Sequence, residues 1–202
     1  MSEVSSSAPS TRSRKVRALL AGGLVLGVGA AITLAAWNDS EYATGSFESG
    51  AFDLEGSVDG STYDEHATAA TAAPLAFSLD ASNLSPGDTV TAPFAVRLDD
   101  TTTYGANVAV KPSATSGTVT GLSYSLATTS AFGCQASAAD TLVPAGTSFG
   151  TEPGTANFDL AAGDGATAGD AVFLCFTVTA GEALQQGQSG TATWEFLATS
   201  DS

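Results

Sequence analysis

Basic residues are nearly absent from most of this chain. Six Lys and Arg residues stand against 21 Asp and Glu in 202 residues, and four of the six lie before residue 20. From Trp37 onward only Arg97 and Lys111 oppose 20 acidic residues, a net charge of −18. Nucleic-acid affinity comes mainly from Lys and Arg that displace counterions, so this balance excludes nucleic acid as a partner. The same charge keeps copies apart until a specific contact overcomes the repulsion.

Residues that carry catalysis or bind metals are also scarce. His66 is the single histidine, and it lies in segment 59–73, which shows no alternation and predicts a mobile loop. Such a loop does not hold a catalytic base in a fixed position, so a solvated histidine is the favoured interpretation. No P-loop, dinucleotide fingerprint, HExxH motif or EF-hand spacing occurs. The sequence therefore predicts no enzyme, no cofactor and no metal site.

One long apolar run, residues 18–36, follows a basic block. Basic block, apolar run and small residues come in the order of a secretory signal peptide. As a helix the run spans about 28 Å, close to a bilayer core, so length alone also allows an anchor. Its four glycines and the small-residue site between Ala36 and Trp37 favour cleavage. We expect a helical signal peptide at 1–36 and a domain at 37–202 outside the cytoplasm, touching a membrane only through an uncleaved leader.

Cysteine is limited to Cys134 and Cys175, both in the part expected to be exported. An exported pair usually forms a disulfide. Cys175 shares its parity with Phe173, opposite to Leu174 and Phe176, so the bridge is expected outside the main core. A redox or metal-binding pair is the alternative, and it lacks a nearby third ligand.

The remaining chain alternates apolar and polar residues at the period of a β-strand, and no stretch after Trp37 keeps helical spacing for three turns. Five stretches each place apolar residues on one face: Leu75, Phe77 and Leu79; Val90, Ala92, Phe94, Val96 and Leu98; Ala106, Val108 and Val110; Leu122, Tyr124 and Leu126; and Ala192, Trp194, Phe196 and Ala198. Turn signals separate about eight to ten such strands, which predicts an all-β protein with an antiparallel two-sheet β-sandwich. Residues 181–187 predict one helical turn.

Three stretches together resemble one family. The junction "LAAWNDSEYATGSFESGAFDLEGS", residues 34–57, is similar to the signal-peptide boundary of exported proteins processed by a SipW-type signal peptidase. The segment "LDASNLSPGDTVTAPFAV", residues 79–96, is similar to a segment of the TasA and camelysin (CalY) family. The final "GQSGTATWEFLATS", residues 187–200, resembles that family's closing strand, whereas residues 112–170 match nothing that we can name.

The resemblance implies a jelly-roll sandwich that is secreted and assembled into fibres of a biofilm matrix. In that family the N-terminal strand of one subunit completes the sheet of the next. The implied partners are a SipW-type signal peptidase and further copies of the chain. This sequence departs from the firmicute members in being shorter, nearly free of Lys and equipped with two cysteines. Actinobacterial exported proteins with this type of signal are the closer likeness.

The expected donor strand contains Phe47, Phe52 and Leu54. In a regular strand, Phe47 would point to one face of the sheet and Phe52 and Leu54 to the other, and Gly50 lies between Phe47 and Phe52. All three can face one core only if the strand is bulged or kinked at Ser49 and Gly50. A strand that begins at a cleaved terminus can pair with its own sheet or with a neighbour's, because open sheet edges accept strands through backbone hydrogen bonds.

Two other functions stay open on the sequence alone. The first is a monomeric β-sandwich that binds carbohydrate or a surface partner through loops near Tyr63 and Tyr104. The second is a protease of the camelysin type, for which the single His66 gives little support. Fibre formation separates the structural hypothesis from both.

Overall fold

The structure is a computed structural model that describes residues 11–12, 14–20, 40–46, 50–117 and 120–201. The chain divides into two units, Met1–Phe47 and Glu48–Ser202. Residues 14–20 of the first unit are helical, whereas positions 21–36 of the predicted signal helix, including Ala36, and the following Trp37 lie outside the described residues. Within the described stretches, no helix is both long and apolar enough to cross a bilayer.

Eight strands and one 3-10 turn make up the secondary structure described in the second unit. The strands are β1 (Leu54–Ser57), β2 (Thr89–Leu98), β3 (Ala106–Gly117), β4 (Leu122–Thr129), β5 (Ala138–Ser148), β6 (Asn157–Leu160), β7 (Val172–Ala180) and β8 (Gly190–Ser200); the turn, η1, is Ala69–Thr71.

These strands form two antiparallel sheets of unequal size. The larger sheet has the order β1-β2-β7-β4-β5, and the smaller has the order β6-β3-β8. Every ladder between named strands is antiparallel. The prediction of an all-β protein with two antiparallel sheets is therefore confirmed.

The main core consists of the alternating apolar residues that the two sheets turn towards each other. On β2, Val90, Phe94, Val96 and Leu98 are buried, as the period-two pattern predicts. The same holds for Val108 and its neighbours of equal parity on β3, and for inward residues of β4 and β7. Burial of such side chains contributes about 1.5–3 kcal/mol each for the larger residues, so this interface supplies most of the driving force for folding.

Two predicted elements differ from the structure. The alternating segment at 75–79 joins no ladder and bends at Ser78 and Leu79, and Leu79 is 61% exposed rather than inward. Residues 181–187 form turns instead of a helical turn, with one closed by the Leu184 amide donating to the Gly181 carbonyl. Segment 59–73 forms no ladder strand, as predicted, although Gly56 and Asp64 exchange two backbone hydrogen bonds of 3.0 Å.

The predicted disulfide between Cys134 and Cys175 is confirmed. It lies on the outer face of β7, where the rings of Phe132 and Phe173 meet edge to face at 6.2 Å. Gly60 packs directly against the Phe132 ring: its φ is +74°, and a Cβ there would lie 2.5 Å from Phe132 Cγ. The bridge thus belongs to a small apolar cluster outside the main core, on the face that the parity of Cys175 predicts.

Candidate functional site

Strand β8 forms an open edge of the smaller sheet. It pairs with β3 from Ser200 to Gly190, with an irregularity at Pro112 and Ala114, where the proline supplies no amide to the ladder. On its other side β8 has no strand partner among the described residues. An edge of eleven residues exposes a row of backbone donors and acceptors about 36 Å long, which is a template for another strand.

The inner face of β8 carries the aromatic residues that meet the larger sheet. Trp194 lies 4.6 Å from Phe176 of β7, and Phe196 lies 5.4 Å from Phe94 of β2, between ring centroids. Both β8 aromatics are only half-buried, although their partners on the larger sheet are buried. Trp194 and Phe196 therefore lie at the rim of the core, on the last strand of the smaller sheet within the described residues.

A cavity of about 820 Å³ lies beside β8. We call it the β8 groove: β8 forms one wall, residues 52–56 and the segment 65–84 form the other, and the inner face of β2 and β7 forms the floor. Val90, Phe94 and Phe176 are the main apolar floor residues. The groove runs along the β8 edge, where a further strand would lie about 4.8 Å from β8.

The β1 wall of the groove is fixed by a buried hydroxyl. Thr102 is 1% exposed, and its Oγ1 accepts a hydrogen bond from the Asp53 amide at 2.8 Å. The same hydroxyl lies 2.5 Å from the Asp99 carboxylate, to which it donates, and the Thr102 amide donates to that carboxylate at 2.8 Å. Burial alone would raise the pKa of Asp99, but the hydrogen bonds from Thr102 and Thr101 outweigh it and hold that pKa below its usual value.

A cation lies on the outer side of the same wall. Arg97 of β2 forms an ion pair with Glu55 of β1 at 3.0 Å, and its guanidinium lies 3.9 Å from the centre of the Tyr63 ring. Burial raises the pKa of Tyr63, and the Arg97 charge partly offsets this. Because one face of Tyr63 is covered, this tyrosine offers less surface to a ligand than the sequence suggests.

Gly56 and His66 lie where β1 meets the groove. A Cβ on Gly56 would lie 2.6 Å from Phe94 Cζ, so glycine lets the Phe94 ring lie across β1. His66 is half-buried and its Nδ1 atom is buried without a hydrogen-bond partner among the described residues, rather than solvated as the sequence predicts. The acidic loop is therefore held against the domain at this point.

Two of the three predicted donor-strand residues lie within the described part of the chain. Phe47 lies outside the described residues, Phe52 is 42% exposed at the mouth of the groove, and Leu54 is half-buried as the first residue of β1. Gly50 lies close to Thr103, where a Cβ would be 2.8 Å from the hydroxyl oxygen. The predicted kink involves Ser49, which is also outside the described residues.

Among the residues that the structure describes, no three His, Cys, Asp or Glu side chains converge as ligands for a metal ion. Comparison of the chain with known proteins finds no matching family model and no matching curated relative. Function is therefore inferred from the geometry of the groove and from the sequence motifs.

Sequence reasoning identified the aromatic face of β8 but missed the groove and the residues that hold its β1 wall. The alternation at Trp194 and Phe196 is confirmed. A signal for Thr102 was present, because the run of Asp and Thr at 99–102 is typical of a hydrogen-bonded turn. Nothing in one sequence indicates that β8 has a strand partner on one side only among the described residues, because strand pairing depends on residues far apart in the chain.

Proposed function

We propose that this protein is an exported structural protein of the cell surface or biofilm matrix, a jelly-roll sandwich of the TasA and camelysin type. In this proposal, copies join into fibres when the N-terminal segment of one copy enters the β8 groove of the next. The observation that supports it best is the groove itself, which combines an edge of β8 without a strand partner among the described residues with an apolar floor.

The donated segment lies upstream of Leu54. Residues 54–57 are already engaged as β1, which pairs with β2 in the same copy. Ala51 bridges Thr102 and the Asp53 amide donates to the Thr102 hydroxyl in the same copy, so the donor falls within residues 37–50 and does not include Phe52 or Leu54. Residues 40–46 are exposed and form no strand, and Tyr42 is 91% exposed. A large aromatic ring in that state favours a segment that buries its side chains elsewhere, as strand addition does.

Charge sets the conditions for such assembly. Each copy carries a net charge of −18 from Trp37 onward, so approaching copies repel each other. Salt screens this repulsion over a Debye length of about 8 Å at physiological ionic strength and about 3 Å at 1 M. Fibres are therefore expected to form more readily as ionic strength rises.

The experiment uses secreted protein beginning at Trp37. Light scattering and electron microscopy are followed at rising protein and salt concentrations, alongside a variant lacking residues 37–50 and the variant Tyr42→Ser. Tyr104→Ser is the matched control, since Tyr104 is also exposed, at 57%, but lies outside the proposed donor. We expect fibres from the intact chain and the control, none from the deletion, and fewer from Tyr42→Ser. A chain that stays monomeric under all conditions, or fibres that survive the deletion, would refute the proposal.

Export is tested separately by N-terminal sequencing of secreted material. A start at Trp37 supports cleavage after Ala36 by a signal peptidase of the SipW type. Recovery of the intact residues 18–36 in membranes would instead support an anchored surface protein.

A monomeric binding module is the second candidate, and the exposure of Tyr104 favours it. Binding to a glycan array that is lost in Tyr104→Ser, together with the absence of fibres, would replace the structural proposal with this one.

A further inference from the structure

Residues 72–78, which we call the strap, lie along the wall of the β8 groove that faces β8 and form no strand. Ala73, Leu75 and Phe77 are half-buried and pack against the main core, while the alternate residues are exposed. This is the side-chain pattern of a strand that faces a core on one side. The strap nevertheless belongs to neither sheet.

The strap is attached mainly at its two ends. Before it, η1 packs against β8. At its other end the Ser78 amide donates to the Thr91 carbonyl at 2.8 Å, and the Thr91 amide donates to the Ser78 hydroxyl at 3.1 Å. Between these ends the backbone of residues 72–77 forms no backbone hydrogen bond with the described residues.

The unpaired backbone of the strap and the outer edge of β8 thus line one cavity. Residues 72–75 and Phe77 line the β8 groove from one side, and residues 190–196 of β8 line it from the other. A strand edge whose amides and carbonyls have no partner accepts a further strand through backbone hydrogen bonds. The two segments are therefore suited to pair with each other.

We propose that the strap closes against β8 as an intramolecular fourth strand and competes with the strand of an incoming copy. The strap is tethered at both ends, so its effective concentration at β8 exceeds that of a donor segment in dilute solution. This part rests on the function proposed above, because the competitor that the strap excludes is the donated strand. The strap thus delays fibre formation until the concentration of copies is high.

The composition of the strap allows a donor strand to displace it from β8. Pro74 has no amide, so a strand containing it loses one ladder hydrogen bond and is tolerated only at an edge. Ala73 fills little of the groove, which leaves Leu75 and Phe77 as the main inward anchors. A donor strand with a complete set of backbone donors replaces the strap without a loss of hydrogen bonds.

The first test is made on monomeric protein and does not require assembly. Hydrogen exchange of the β8 amides is compared in the intact chain, in Leu75→Ser/Phe77→Ser, and in the control Leu79→Ser, whose side chain is mostly exposed. Loss of two half-buried anchors should speed exchange of the β8 amides that are not bonded to β3 about tenfold. Leu79→Ser should leave it unchanged. Equal exchange in all three proteins would overturn strap closure.

The second test measures the lag before fibre growth. The double variant should shorten the lag, and a synthetic peptide of residues 72–79, added in excess to the intact chain, should lengthen it by occupying the groove. The peptide requires no variant to fold. An unchanged lag in both cases, with fibres present, overturns the competition while leaving the proposed function intact.

The two proposals fail in distinguishable ways. If exchange in β8 rises in the double variant but no protein forms fibres, strap closure stands and fibre formation by strand donation fails. The double variant is also tested without residues 37–50. If this shortened double variant still assembles, the exposed groove aggregates without a donor strand. That result would overturn the competition between the strap and the donor strand.

Discussion

The disulfide offers the sharpest quantitative prediction about stability. Cys134 and Cys175 are 41 residues apart, and their bridge lies outside the main core. Closing a loop of that length removes about 13 cal/mol/K of entropy from the unfolded chain, which corresponds to about 4 kcal/mol at 25 °C. The variant Cys134→Ala/Cys175→Ala should therefore lose about 4 kcal/mol of unfolding free energy and still fold.

The assay is urea unfolding followed by tryptophan fluorescence, since Trp194 lies between the two sheets. Removing the bridge lets the unfolded chain expand, so the slope of unfolding free energy against urea should also increase. Phe132→Leu is the control, because it alters the apolar cluster around the bridge and keeps the bridge itself. It should lower the free energy of unfolding without a change in slope.

Two results would refute this reasoning. A loss below about 1 kcal/mol with an unchanged slope would show that the bridge does not restrict the unfolded chain in the way that loop entropy requires. A variant whose Trp194 emission is already red-shifted without urea would show that the bridge maintains the native core.

Three further predictions concern the β1 wall of the groove. Gly56→Ala should cost about 1–3 kcal/mol in urea unfolding, because its Cβ would lie 2.6 Å from the Phe94 ring. Thr102→Val should cost about 1–3 kcal/mol and speed amide exchange in β1, since it leaves the Asp53 amide and the Asp99 carboxylate without their shared partner. The pKa of Asp99 is lower in the folded state than in the unfolded state, so its contribution is complete above about pH 4 and is lost as pH falls through the folded value. The urea midpoint should fall as the pH is lowered below about 4, and Thr102→Val should make this dependence of the midpoint on pH weaker. An equal dependence on pH in both proteins would contradict the assignment of this effect to Asp99.

The strands that could be predicted are those whose side-chain pattern is local. The alternation through Val90, Phe94 and Leu98 specifies β2, and that through Trp194 and Phe196 specifies the inner face of β8. The same rule fails at Leu75 and Phe77, where alternation is present but no ladder forms. Alternation reports which side chains face a core, and it does not report whether the backbone has a partner.

The middle of the chain was harder to predict. Strands β5 and β6 lie within residues 138–160, where most side chains are exposed or half-buried. The pairing of β5 with β4 also shifts register several times, which interrupts a regular period. Edge strands of this kind bury few residues, so their sequences carry a weak pattern.

The sequence by itself determined the acidic charge, the absence of a catalytic motif, the two-sheet all-β class and the face on which Cys175 lies. Each of these depends on composition or on spacing within one segment. Only the tertiary structure decided that β8 is the last strand of the smaller sheet among the described residues, that Thr102 fixes the β1 wall and that the strap lines a groove without joining a sheet. These features depend on contacts between segments far apart in the chain, and such contacts leave no period in the sequence.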